Sequence, residues 1–232
     1  MITAYIADTS TLADETLFGR LRGVVSDERR RKMDRMRFAK DKYLSLGVEL
    51  LLMRACADFG VDYAKQRILY DEYQKPHFAE GGVHFNLSHS DDRVMCVMAE
   101  NCVGCDVEHI TDIDLDIAKN FFFKEEYATI AKRRTRPEMN DTFFRLWTLK
   151  ESFMKCTGLG FRLPLNAFSV SIDGSDVAVC QSVDDARYRF FEYDANDDYK
   201  YAVCLRYVER INNMPDDDVQ WKHVGFDGEF VP

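Results

Sequence analysis

Residues 83–108, V-H-F-N-L-S-H-S-D-D-R-V-M-C-V-M-A-E-N-C-V-G-C-D-V-E, carry three strand-like runs in succession. The runs 83–87 and 94–99 read as a strand pair joined through S-H-S-D-D-R. The run 103–108 reads as a third strand next to them. Upstream, residues 41–59 form a strongly apolar helical stretch, closed by Gly60 in the position of a helix stop. Before it, 1–7 reads as a first strand and 11–37 as two polar helices. After it, 67–71 is a short strand and Tyr73-Gln74-Lys75-Pro76 a loop. Downstream, helical segments run through 114–133 and 138–157, ended by Thr157-Gly158-Leu159-Gly160. Four strand-like runs follow at 167–172, 177–181, 188–193 and 201–207. Residues 209–232 show no period and read as a mostly irregular tail. Each half thus places helices before an antiparallel set of strands. The expectation is an α+β fold of two similar lobes in one chain, each a small antiparallel sheet packed with helices in a pseudo-twofold arrangement.

At 232 residues the chain is long enough to bury a sizeable core. Hydrophobic content of 46% and charged content of 31% exclude a disordered chain. No apolar run approaches the roughly 20 residues of a membrane span, so no membrane partner is expected. The start M-I-T-A-Y-I-A-D-T has neither a basic opening nor a cleavage-type apolar core, and a cytoplasmic address is the expectation. A net charge of −9 argues against nucleic acid as a general partner. The charge is uneven: residues 20–42 hold ten Lys or Arg against four Asp or Glu. The stretch from Glu192 onward is acidic, with Asp197-Asp198 and Asp216-Asp217-Asp218. A basic arm on an acidic protein suggests a local anion site, set against the plainer reading of a solvated helix face. The seven cysteines sit mostly inside apolar runs, as small core residues do. Cys102 and Cys105 form a C-x-x-C without a second pair at zinc-finger spacing, which disfavours a zinc or redox site.

Chemistry concentrates in three motifs. In W-T-L-K-E-S-F-M-K (147–155), read as a helix, Trp147, Glu151 and Lys155 project from nearly one face. In V-G-C-D-V-E-H (103–109), read as a strand, Asp106 and Glu108 point to one side and Cys105 and Val107 to the other. Three carboxylates around one point repel unless a cation or protons compensate. Oxygen-only ligands favour magnesium, which keeps positions for water and substrate phosphates. The trio therefore points to a phosphate-bearing substrate; the alternative is three surface acids with no common site. F-N-L-S-H-S (85–90) presents hydroxyls and an imidazole at a turn, groups that suit phosphate oxygens. A hydrolase reading, with His89 as base for Ser88 or Ser90, is weakened by the lack of a G-x-S-x-G elbow.

Taken together these pieces resemble a known family, the 4′-phosphopantetheinyl transferases of the Sfp type. The resemblance rests on Q-K-P (74–76), F-N-L-S-H-S (85–90), G-C-D-V-E (104–108) and F-F-F-K-E-E-Y (121–127). It rests further on W-T-L-K-E-S-F-M-K (147–155) with G-L-G-F-R-L-P-L (158–165), and it covers most of residues 26–172. It implies transfer of the phosphopantetheine arm of coenzyme A to a serine of an acyl or peptidyl carrier protein. Adenosine 3′,5′-bisphosphate is the other product, magnesium (Mg2+) the cofactor, and a monomer the expected state. It implies a nucleotide-side lobe, 1–104, and a lobe with metal ligands and carrier side, 105–232, with the site between them. By resemblance Asp106, Glu108 and Glu151 are the magnesium ligands, and Lys155 contacts the pyrophosphate. Ser88 and His89 hold coenzyme A phosphates, and Lys75 lies at the adenine side. Arg29 and Lys32 match cations near the 3′-phosphate, and Ser45 a small hydroxyl residue at the nucleotide.

A carrier serine is a poor nucleophile at neutral pH and needs a base within reach. Glu151 is the best candidate, acting directly or through a water, while Lys155 one turn along serves the leaving phosphate. Lys150 lies about 100° round the helix, as a supporting partner. Trp147 and Phe153 read as core, and Phe121, Phe122 and Phe123 as packing between the lobes. Residues 124–127 read as the start of a helix lining a carrier groove, with Arg133, Arg134 and Arg136 as candidates to steer an acidic carrier. The chain departs from the family at Cys105, where isoleucine is common, and at Gln74, where glycine is common. Two other readings compete: a non-catalytic binder of coenzyme A or carrier protein, and a Cys/His metal regulator.

Overall fold

The computed structural model describes residues 1–207 and 218–226. Strand β1 (Ile2–Asp8) opens the chain, and after a 3-10 turn come α1 (Glu15–Arg22), α2 (Asp27–Asp34) and α3 (Ala39–Asp58). A ribbon of β2 (Ile68–Tyr70) and β3 (Pro76–Phe78) leads to β4 (His84–Ser90), β5 (Arg93–Ala99) and β6 (Val103–His109). Then follow α4 (Leu115–Phe121), α5 (Lys124–Ala131) and α6 (Arg136–Thr157). The chain continues through β7 (Ser169–Asp173), β8 (Asp176–Cys180), β9 (Arg187–Tyr193), β10 (Tyr199–Tyr207) and β11 (Gln220–His223).

The fold is α+β, as expected, with small sheets packed against helices. One sheet runs β11-β1-β5-β4 and a second β6-β10-β9, with the ribbons β2-β3 and β7-β8 beside them. Strand alternation sorts three cores. Tyr5, Val94, Cys96 and Met98 turn to α3 and the outer helices. Ile2, Ala4, Ile6, Met95, Val97 and Ala99 turn the other way and meet Val103, Cys105, Val107, Val203 and Leu205 of the second sheet. Ala202 and Cys204 face α6. The sheets therefore stack on one another, with α3 outside the first and α6 outside the second. V-M-C-V-M-A in β5 is apolar on both faces because both faces are covered.

Helix α3 is buried without a break from Leu44 to Leu52, which explains its lack of a polar stripe. Helix α6 is set at both ends. Thr135 Oγ accepts the Glu138 N–H (3.4 Å), Glu138 Oε2 accepts the Thr135 N–H (3.1 Å), and Gly158 closes the helix at φ 81°.

Three differences from the sequence reading bear on the site. S-H-S (88–90) lies within β4, and only Asp91-Asp92 make the turn. Strand β6 does not pair with β4 or β5; it joins β10, from Tyr199 opposite His109 to Leu205 opposite Val103. The tail is not wholly irregular: β11 pairs parallel with β1, from Thr3 opposite Gln220 to Ile6 opposite His223. Four residues are too few for a period, and their partner lies at the other end of the chain. Residues 209–217 and 227–232 of that reading lie outside the described residues.

Candidate functional site

The site begins at Gly104. A Cβ there would lie 2.2 Å from the Ser152 carbonyl oxygen and 2.3 Å from the Cys156 amide nitrogen, so α6 rests its backbone on β6. Only a residue without a side chain permits that approach. Two residues along β6, on the same face, Asp106 therefore falls beneath the turn of α6 that carries Glu151 and Lys155. Lys155 Nζ stands 2.6 Å from Asp106 Oδ1 and donates to Ser88 Oγ at 3.0 Å. Ser88 donates its one hydroxyl proton to Asp106 Oδ1 (2.8 Å) and accepts the Val107 N–H (3.3 Å).

The second carboxylate repeats the arrangement. Ser90 donates to Glu108 Oε2 (2.7 Å) and accepts the His109 N–H (3.1 Å). Asn86 Oδ1 accepts the Cys105 N–H (3.0 Å). The polar side chains at 86, 88 and 90 thus satisfy alternate amides on the free edge of β6, as buried backbone donors require. Their spacing of two is what F-N-L-S-H-S encodes. Each serine proton goes to a carboxylate, so neither serine is arranged as a nucleophile for His89. His89 points from the other side of β4, exposed at the rim. Surrounding protein, then the Lys155 charge, hold its pKa below the usual histidine value.

The site is short of positive charge. Burial pushes the Asp106 carboxyl up, against Lys155 and Ser88, and Asp106 is only 2% exposed. Burial and then Asp106 push Glu108 up, while Ser90 and the Trp147 indole N–H draw it down. Glu151 is pushed up to about 7 by burial, then by Asp106 and Glu108. Burial works against the Lys155 ammonium, but Asp106 and its neighbours hold its pKa above the usual lysine value. Asp106 Oδ2 and Glu151 Oε1 are buried without a hydrogen-bond partner. Such oxygens are costly unless something supplies a donor or a cation. Among the described residues, no group of three or more His, Cys, Asp or Glu stands close enough to hold a metal as it is. The donor set nevertheless fits a hard cation: carboxylate oxygens only, two of them unpartnered.

The remaining candidates stand elsewhere. Arg29 forms an ion pair with Glu49 (2.6 Å) and donates to Ser45 Oγ (3.3 Å). With Lys32 and Arg67 it lines a cavity of about 510 Å³. Lys75 directs its ammonium to the carbonyls of Cys156 (3.0 Å) and Val103 (3.2 Å) and to Cys102 Sγ (3.4 Å). It thereby ties its loop to the end of α6 and the start of β6. Lys150 turns away from the carboxylates. It is fully buried, pairs with Glu126 (2.7 Å) and donates to the Phe168 carbonyl (2.9 Å). Trp147 stacks on Phe143 and Phe122 at 5.6 and 6.3 Å, so it both packs α6 and reaches Glu108. Phe122 is core, whereas Phe121 is 55% exposed. Arg133 borders a cleft with Asp112, Glu138 and Asp141, and Arg136 pairs with Asp112 (2.5 Å). Asn86, Glu49 and Tyr63 escaped the sequence reading as site residues, and Ser90, read there as a phosphate-binding or nucleophilic hydroxyl, instead holds Glu108 and the β6 edge. The alternation of 86, 88 and 90 was a signal for Asn86 and Ser90; for Glu49 only its i+4 spacing from Ser45 was.

Against known proteins, a family model described as the 4′-phosphopantetheinyl transferase superfamily matches residues 102–204. The 4′-phosphopantetheinyl transferase gsp of Aneurinibacillus migulanus is 32% identical over 193 residues, covering 82% of this chain and 80% of its own. The transferase Sfp of Bacillus subtilis strain 168 is 33% identical over 194 residues, covering 82% of this chain and 86% of its own. A crystal structure of the Thermotoga maritima holo-[acyl-carrier-protein] synthase aligns with 45% of this chain at a TM-score of 0.38 and 18% identity, over 61% of that chain.

Proposed function

Because the chain belongs to the 4′-phosphopantetheinyl transferase family, we propose that Asp106, Glu108, Glu151 and Lys155 carry the transfer of a phosphopantetheine arm from coenzyme A to a carrier-protein serine. The observation that carries this assignment is the Asp106–Lys155–Ser88 cluster with two unpartnered carboxylate oxygens beside it. Nothing in the relatives or in these residues favours a non-catalytic binder.

Asp106, Glu108 and Glu151 would hold a magnesium ion, which when bound supplies counter-charge to the pyrophosphate oxygens. Glu151 accepts the proton of the carrier serine hydroxyl, directly or through a water. The serine oxygen bonds to the phosphorus on the pantetheine side, and the bond from that phosphorus to the bridging oxygen breaks. Lys155, kept charged by Asp106, offsets the charge on departing adenosine 3′,5′-bisphosphate. Ser88 and Ser90 keep the two strand carboxylates in place.

Residues 1–104 form the coenzyme A side and 105–232 the carrier side, except that β11 returns to the first sheet, and a pseudo-twofold relates the two. The cations Arg29, Lys32 and Lys75, with Ser45 and His89, serve the nucleotide end. The protein works as a monomer in the cytoplasm. No described helix is long and apolar enough to cross a membrane.

The test is incubation of apo carrier proteins of several types with coenzyme A and magnesium, read by mass spectrometry. One phosphopantetheine arm should be gained, and Glu151→Ala or Asp106→Ala should abolish the gain. Absence of modification across the panel rejects the assignment.

A further inference from the structure

Glu49 is 3% exposed, on the inner side of α3, one turn from Ser45. Its two oxygens are both engaged: Oε2 pairs with Arg29 Nη2 at 2.6 Å, and Oε1 accepts the Tyr63 hydroxyl. Arg29 is fixed at both ends. Its backbone N–H is capped by Ser26 Oγ (3.2 Å) at the start of α2, and its Nη1 donates to Ser45 Oγ (3.3 Å). The cavity in front of this fork, about 510 Å³, is also lined by Lys32, Tyr63, Arg67 and Tyr70. Its size suits a nucleotide fragment. Neither the sequence motifs nor the transfer chemistry uses Glu49 or Tyr63.

Building on the coenzyme A reading, we propose that Glu49, braced by Tyr63, is a positioning residue that aims Arg29 at the 3′-phosphate of the nucleotide. It thereby sets the preference for a 3′-phosphorylated nucleotide over one without that group. A buried carboxylate stripped of its arginine is strongly unfavourable, so Glu49 keeps hold of Arg29 when ligand arrives. A guanidinium has five N–H donors, and Ser45 and Glu49 take two of the contacts. The others remain for a phosphate, in the fixed fork geometry that makes arginine–phosphate bonds directional. Because Glu49 offsets the Arg29 charge and Glu80 stands 3.8 Å from Arg67, the net attraction comes chiefly from Lys32, and the contribution of Arg29 is geometry. Burial and Glu49 raise the Tyr63 pKa, which keeps its hydroxyl protonated as the donor the brace requires.

The experiment compares wild type, Glu49→Gln and Tyr63→Phe in carrier modification with coenzyme A and with 3′-dephospho-coenzyme A. Binding of adenosine 3′,5′-bisphosphate and of adenosine 5′-phosphate is measured by calorimetry. The preference for the 3′-phosphorylated member of each pair should fall about tenfold in Glu49→Gln, the value of one charge-assisted hydrogen bond, and by a smaller factor in Tyr63→Phe. The change should lie in KM more than in kcat. An equal loss with both members of a pair would make Glu49 merely structural and overturn the proposal. A preference that rises would overturn it too, since Glu49 would then oppose the phosphate. If wild type modifies no carrier, the transfer assignment fails while the calorimetry still decides. A bisphosphate preference that depends on Glu49 supports the brace, and no binding of either nucleotide rejects it.

Discussion

Gly104 of β6 and Cys156 of α6 are in backbone contact, with room for a hydrogen at Gly104 but not for a methyl group. That contact sets the height of the helix over the strand, and with it the 2.6 Å approach of Lys155 to Asp106. Gly104→Ala must push α6 outward. The cost should be about 3 kcal/mol, the upper part of the range for overpacking, because backbone and not a flexible side chain stands in the way. Urea denaturation measures it. Transfer activity should drop by more than the folded fraction does, since Lys155 and Glu151 move with the helix. A Gly104→Ala protein of wild-type stability would refute this account of the site.

The pKa of Glu151 sets a pH dependence with a definite sign. Its carboxyl is held up to about 7 in the folded chain, against an ordinary value of 4.5. The folded state therefore binds this proton more tightly than the unfolded state. The associated stability is fully present below about pH 4.5 and lost as the pH rises to about 7, a loss on the order of 3 kcal/mol. Denaturation of metal-free protein at pH 5.5 and 8 should show the decline, and Glu151→Gln should flatten it. Magnesium should raise the melting temperature more at pH 8 than at pH 6, because a carboxylate must lose its proton to ligate. Parallel pH curves for wild type and Glu151→Gln would contradict this reading.

The site was legible to the extent that it is local. Asp106 and Glu108 share a face by strand alternation, and Glu151 and Lys155 by helical spacing, so residue type and period sufficed to put each pair on one face, while their roles rest on the family resemblance. That the two pairs meet depends on Gly104, whose meaning appears only when α6 lies on it. Strand β6 lies beside β4, as the sequence suggests, but chain order does not say which sheet it joins. Its real partner, β10, lies about a hundred residues on. Strand β11 was invisible for the same reason: its pairing is set wholly by a distant partner. Lys150, read from the sequence as a supporting partner about 100° round the helix from Glu151, instead goes into the core and pairs with Glu126.

Lys150 and Glu126 form a buried pair that joins α5 and α6, and Glu126 Oε1 also accepts the Val170 N–H (2.7 Å). Lys150→Met leaves the Glu126 carboxylate without its cation inside the protein. The expected loss is about 3–5 kcal/mol. Adding Glu126→Gln to it removes the stranded charge and should recover part of the loss. Thermal and urea unfolding of the single and double variants check this. Equal stability of the two would mean that the pair is not electrostatically coupled.

Gln74 lies in the left-handed region at φ 68°, in the loop that leads Lys75 to the end of α6. Its N–H donates to the Asp71 carbonyl (3.1 Å), and Asp71 Oδ1 accepts the N–H groups of Tyr73 and Lys75 (both 2.9 Å). The turn is thus fixed by its neighbours, and residue 74 must take whatever φ remains. A side chain there crowds the following carbonyl, at a cost of roughly 1–2 kcal/mol. Glycine relieves the strain but gives the unfolded chain more freedom, which takes back part of the gain. Gln74→Gly should therefore stabilise the protein by about 0.5–1 kcal/mol, seen as a higher urea midpoint at unchanged slope. A lower midpoint would mean that the Gln74 side chain makes a compensating contact worth more than the strain.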